Sequence, residues 1–285
     1  MANRSIFFLL TLLVCSHVAS ACDSAKADCI EPNSWQFSLA VGAGVKLNPL
    51  HDSDNIPLVI LPDIAWYGES AYFDNGELGY QWTPANKQSV ETFVRFNSER
   101  AYFSFWHPAN LLLISTSDIQ ASLTSPVEKF DREAVSYKDV RKRDWAVDAG
   151  IRWQHQNKSG LWQVSVLNDI SNTYNGQQLD LKYKHNWQVS QWNFTTTLSA
   201  LWKSSKLLDY YYGLNELDNV EKSQLYHANS GWFPGISILA RHPISENWQW
   251  VLRASYQHLP SAMSDSPLVE RNSVASAFIG AAYRF

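Results

Sequence analysis

The stretch WQWVLRASYQHL, residues 248–259, separates into two faces when read with a period of two. Trp248, Trp250, Leu252, Ala254 and Tyr256 fall on one side, and Gln249, Val251, Arg253, Ser255 and Gln257 on the other. A helix would scatter these residues around its axis, whereas a strand divides them cleanly. The apolar row begins and ends on an aromatic ring, and it is long enough for a tilted strand to cross a bilayer, which takes about 9–11 residues.

The same pattern recurs upstream. In DWAVDAGIRWQ (144–154), Trp145, Val147, Ala149, Ile151 and Trp153 oppose Asp148, Gly150 and Arg152. In LDLKYKHNW (179–187), Leu179, Leu181 and Tyr183 oppose Asp180, Lys182 and Lys184. In WNFTTTLSALW (192–202), an apolar row runs from Trp192 to Trp202 and faces Asn193, Thr195, Thr197 and Ser199. Trp145 with Trp153, Trp192 with Trp202, and Trp248 with Tyr256 are paired aromatics at row ends. That placement suits the two headgroup levels of a membrane and predicts two aromatic girdles. Small residues such as Ala149, Ala200 and Ala254 also occur in these rows. An interlocked core tolerates such gaps poorly, while lipid tails fill them. The sequence therefore predicts an all-β fold, a transmembrane antiparallel barrel rather than a soluble sandwich. A mean hydropathy of −0.28 is no objection, because lipid-facing and lumen-facing residues cancel.

The C-terminal stretch SVASAFIGAAYRF (273–285) carries the pattern to the last residue, with Phe285, Tyr283, Ala281, Ile279 and Ala277 on one face. A closed barrel must pair its last strand with its first, since the bilayer supplies no water to an open edge. Phe285 and Tyr283 resemble the assembly signal of bacterial outer-membrane proteins, which makes the barrel-assembly machinery an expected partner.

At the other end, Arg4 precedes the apolar run IFFLLTLLV (6–14), and Ala19-Ser20-Ala21 offers a small-residue cleavage site. This is the layout of a secretory signal peptide. The expected organisation is a cleaved signal over 1–21, a periplasmic segment over 22–34 and an outer-membrane barrel over 35–285. The mature chain has 22 basic and 27 acidic residues, a formal charge of −5, which gives no case for nucleic acid. Cys22 and Cys29 remain after cleavage. Export to an oxidising compartment makes a disulfide between them one reading. A lipidated Cys22 and two free thiols are the others.

Strands are expected to start near Trp35, Pro57, Ala71, Ser89, Arg100, Asp144, Gly160, Gln178, Trp192, Trp232, Trp248 and Ser273. That makes about twelve, an even number that leaves both termini in the periplasm, with ten and fourteen as alternatives. Gly68-Glu69-Ser70 and Asp74-Asn75-Gly76 read as turns. Counting back from Phe285, the short turns 155–159, 185–191 and 243–247 fall on the periplasmic side. The connections 125–144, 204–231 and 259–272 fall outside.

Several phrases resemble the MipA/OmpV family of outer-membrane proteins: LPDIAWYGESAYFDNGELGYQW (61–82), NDISNTYNGQQLDLKY (168–183), DYYYGL (209–214) and the run ISILARHPISENWQWVLRASYQHLPSAMSDSPLVERNSVASAFIGAAYRF (236–285). The resemblance implies an outer-membrane barrel. For one branch of the family it implies a scaffold for a murein hydrolase of the lytic transglycosylase kind and a murein synthase. It brings no catalytic motif.

The residues themselves suggest little chemistry. HDSD (51–54) groups histidine, serine and aspartate, but a nucleophile and base need a third group to position them. No spacing suggests zinc and no glycine loop suggests phosphate, so no cofactor or metal is expected. Loop carboxylates at Asp52, Asp54, Asp265 and Glu270 could bridge to lipopolysaccharide through a cation. The charges expected to face the lumen are Asp148, Arg152, Asp180, Lys182, Arg241 and Arg253. Both signs occur within single strand rows, which favours pairing across the lumen over a selectivity ring of one sign. The leading readings are a structural scaffold and a channel or small-solute uptake protein. An outer-membrane enzyme and a receptor for phage or adhesion are the remaining ones.

Overall fold

The computed structural model describes residues 33–112 and 133–285. The expected signal peptide over 1–21, Cys22 and Cys29 lie outside the described residues. The alternating rows become the strands β1 (Trp35–Lys46), β2 (Ile56–Pro57), β3 (Ile60–Tyr67), β4 (Ala71–Asp74), β5 (Glu77–Ala85), β6 (Gln88–Phe96), β7 (Val147–Gln156), β8 (Leu161–Asp169), β9 (Gln177–Val189), β10 (Trp192–Lys203), β11 (Gly231–Pro243), β12 (Trp248–His258) and β13 (Ser273–Arg284). β2 pairs with two residues of β1 only. The other twelve form one antiparallel sheet in sequence order, and β13 pairs back onto β1 to close it.

The closing seam runs from Ser38 opposite Arg284 to Lys46 opposite Ser276. At its centre Gly42 faces Gly280. A Cβ on Gly42 would stand 2.1 Å from the carbonyl oxygen of Ile279, so the two backbones approach too closely for any side chain there. The last residue takes part in the seam, because the Phe285 N–H donates to the Phe37 carbonyl at 3.0 Å.

The count of twelve matches the sequence reading, but its members differ in one place. The expected strand near Arg100 is a 3-10 turn, Ser98–Tyr102, and a short helix α1 (Pro108–Leu111) follows it. Local capping explains this. The Asn97 side chain accepts from the Glu99 N–H, and the His107 side chain accepts from the Ala109 N–H ahead of a helix opened by proline. The missing strand is supplied by β5. Asn75 and Gly76 both have positive φ and turn β4 tightly into β5.

β4 is only four residues long. At about 3.3 Å per residue it reaches roughly half of the apolar band of about 25 Å that surrounds such barrels. The wall therefore dips between β3 and β6, and α1 packs against β3 above the dip.

Short turns at 68–70, 86–87, 157–160, 190–191 and 244–247 share one end with the barrel termini. The described parts of the connection from β6 to β7 (97–112 and 133–146) and the long connections 204–230 and 259–272 lie at the other. This is the outer-membrane arrangement, with short periplasmic turns and long extracellular loops. Apolar residues of the outward rows stay exposed, among them Val41, Ile151, Leu198 and Ile279.

The two faces carry a testable difference. Leu252 points outward on β12, between Ala240 and Ile279, while Gln249 occupies the other parity. Leu252→Arg is expected to cost about 2–4 kcal/mol and Gln249→Arg much less. Equal losses in denaturant unfolding from bilayers would place the strand one residue out of register.

Candidate functional site

The inward rows bring charged side chains into the lumen, where they are largely cut off from solvent. Asp148, Arg152, Asp180, Lys182 and Arg253 are all at most 8% exposed.

Arg152 is the centre of the most connected cluster. Its Nη1 and Nη2 donate to the two carboxylate oxygens of Glu77 at 2.6 and 2.8 Å, a bidentate pair, and Nη1 also reaches Glu91 at 2.9 Å. The guanidinium lies 4.0 Å from the Phe93 ring centroid. The Tyr72 hydroxyl donates to Glu77 at 2.9 Å, and Gln154 donates to Glu91. Gly79 makes room for this arrangement, since a Cβ there would stand 2.3 Å from the Tyr72 ring.

A second cluster joins Arg95 to Asp180 at 3.1 Å, with the Lys182 ammonium 3.7 Å from the same carboxylate. A third surrounds Asp148, which accepts from Asn97 at 2.7 Å and from the Tyr174 hydroxyl. Tyr174 belongs to the connection between β8 and β9, so this contact ties an extracellular loop to the lumen wall. Arg241 lies within electrostatic reach of Asp63. Arg241 and Arg253 both make further interactions of their own.

Above these clusters the described parts of the long connections fold inward. Helix α2 (Ser205–Tyr212) fully buries Leu207, Leu208, Tyr211 and Tyr212. These residues share one apolar cluster with Leu50, Leu268, Met263 and Val269, and with the inward-facing Leu201, Phe233 and Val274 at the extracellular ends of β10, β11 and β13. Polar contacts pin the cap to the barrel. Glu99 accepts from Lys203 and from the Tyr212 hydroxyl, each at 2.6 Å. Burial, and then the Glu99 charge, push the Tyr212 phenol well up, so it stays a donor. Arg143 pairs with Asp218 at 2.7 Å and donates to the Gly213 carbonyl, which joins two connections. His107 stacks on Trp145 at 4.7 Å. Burial, with Lys46 and Arg100 nearby, pushes its imidazole down to about 3.

Several expected residues are thus placed in clusters, but with partners the sequence did not indicate. Glu77, Glu91, Arg95, Asn97, Glu99 and Lys203 were missed. Glu77 and Glu91 do stand in period-two rows, and that signal was obscured by the irregular stretch after Ala71. The aromatics sit at opposite ends of their outward rows. Trp145 immediately precedes β7 and meets Phe96 edge-on at 5.4 Å. Trp153 stacks on His155 at 5.8 Å, and Trp248 lies 5.1 Å from Tyr283. Trp192, Trp202 and Tyr256 lie near the ends of β10 and β12. In HDSD, the Ser53 hydroxyl donates to the Leu50 carbonyl at 2.6 Å and Asp52 adopts a positive φ, so the segment forms a turn.

The family model described as "MltA-interacting protein MipA" matches residues 41–285. YiaT of Escherichia coli (strain K12) is 26% identical over 250 residues, covering 87% of this chain and 91% of that protein. MltA-interacting protein of the same strain is 22% identical over 252 residues, covering 88% and 90%. Among solved structures, an outer membrane channel from Pseudomonas putida F1 aligns with 93% of this chain and 100% of its own, at 9% identity and a TM-score of 0.39. A likeness of that degree carries no functional argument.

Proposed function

We propose, from the premise that this chain belongs to the MltA-interacting protein (MipA) family, that it is a non-catalytic outer-membrane barrel serving as a periplasmic scaffold. Its role would be to hold a murein-processing enzyme against the inner face of the outer membrane. The observation that carries this reading is the occupied lumen. Arg152, Arg95 and Asp148 tie the described wall together through buried charge contacts. The α2 cluster covers the extracellular mouth. A barrel filled in this way is suited to stability and surface display rather than to bulk diffusion. One relative is named for interacting with MltA, which supports a partner of that class.

The competing reading, a small-solute channel, draws on the polar character of the inward rows. Purified protein in planar bilayers is expected to show little or no steady conductance. The barrel immobilised in lipid discs is expected to retain a purified lytic transglycosylase from the same cell. That retention should fall when the turns 157–160 and 244–247 are replaced by glycine and serine. A large steady conductance together with no retained enzyme would move the assignment to a channel.

A further inference from the structure

The outer wall carries an apolar groove of about 400 Å³ at the extracellular ends of β11, β12, β13 and β1. Val45, Ile236, Ile238, Ala254, Tyr256 and Ala277 line it. Small side chains, Ala254 and Ala277, stand among larger ones in this lining, which leaves space between them. The orientation of the barrel puts this hollow on the outer-leaflet side.

The chain that continues from the top of this face offers a cation with no ion pair among the described residues. Ser273 pairs with His258 at the top of the sheet, and the Leu259 N–H continues the ladder to the Asn272 carbonyl at 2.8 Å. Arg271 comes next. It is half-buried, and its Nε is enclosed without a hydrogen-bond partner among the described residues. His258 beside it is exposed. An arginine in this position is a fork of donors matched to phosphate oxygens. A second hollow, of about 730 Å³, crosses β5 to β8 and includes Ala149, which makes it an internal comparison. Arg143, on the connection leading into β7, is already bound to Asp218.

We propose that the first hollow and Arg271 form a binding site for lipopolysaccharide, with an acyl chain of lipid A in the groove and a lipid A phosphate on the Arg271 guanidinium. Flexible acyl chains conform to a wall of mixed side-chain sizes, and the outer leaflet is where this phosphate-bearing lipid resides. A two-fold dimer through the same face would bring two arginines together, which disfavours a second copy as the occupant. This site is independent of any periplasmic scaffold role, since it faces the membrane.

The test uses the full chain refolded in phosphatidylcholine discs doped with lipid A, dephosphorylated lipid A or phosphatidylglycerol, then repurified and assayed for retained lipid by mass spectrometry. Wild type is expected to retain lipid A over both other dopants. Arg271→Gln and Ala277→Trp should each lower retention about tenfold, the scale of one lost charge-assisted contact. Ala149→Trp in the other hollow should not. If Arg271→Gln does not fold, Arg271→Lys takes its place and should also lose retention, because an ammonium lacks the fork. Unchanged retention in the Arg271 variants, equal loss from Ala149→Trp, or phosphatidylglycerol held as well as lipid A would each overturn the assignment.

Discussion

Removal of Phe285, or its replacement by aspartate, is expected to leave an exported chain that does not accumulate as a folded barrel. The reason lies in the seam. Phe285 donates its N–H to the Phe37 carbonyl, and its ring meets Tyr283 edge-on at 4.9 Å. Tyr283 packs on Trp248 in turn, so the terminal ring completes an aromatic row at the periplasmic level. A last strand that fails to dock leaves two edges whose polar groups the bilayer does not satisfy, at several kcal/mol for each group. The barrel then has no partly closed state to rest in. The readout is heat-modifiable migration of the membrane fraction, in which the folded band should fall to near background while total exported protein persists. A folded band of normal abundance would show that the last residue is dispensable.

The second large effect is expected at Arg152. Arg152→Met leaves Glu77 and Glu91 close together in the lumen with no cation between them. Removing one partner of a buried charge cluster typically costs about 3–5 kcal/mol, much of it from the charges left behind. The triple variant Arg152→Met, Glu77→Gln, Glu91→Gln removes the stranded charges along with the guanidinium, and should recover most of the loss. Denaturant unfolding from lipid discs separates the two cases. A single and a triple variant with equal stability would show that water, rather than Arg152, neutralises the carboxylates. If the cluster also narrows the lumen, conductance in planar bilayers should rise in the single variant from a low wild-type value, and likewise on neutralising Arg253.

Much of this architecture was legible in the linear sequence because a barrel wall imposes a local rule. Successive side chains must alternate between lipid and lumen, so Trp248 to Tyr256, Trp192 to Trp202 and Ala277 to Phe285 announce strands without reference to any distant residue. The same rule fixed which charges share a row, since Asp148 with Arg152, and Asp180 with Lys182, keep one parity. The long extracellular and short periplasmic connections followed from strand spacing alone. Where local signals competed, the reading failed. Around Arg100, the caps of Asn97 and His107 outweigh a weak alternation, and the strand lies instead at Glu77–Ala85.

The partners within the lumen are a different matter. Arg152 binds Glu77 from 75 residues away, and Arg95 binds Asp180 from 85. Period-two alternation states which face a side chain takes, but not its height against strands on other parts of the wall. That height comes from the register of every pairing and from the closure of β13 on β1. The cap depends in the same way on tertiary structure, because α2 gains its burial only against the inward ends of β10, β11 and β13. Facing, membrane class and, outside the stretch 71–102, strand identity were therefore determined by the sequence itself through local geometry. Which charges meet, and what covers the mouth, were decided only by the closed barrel, because those contacts exist only once the register of the whole sheet is set.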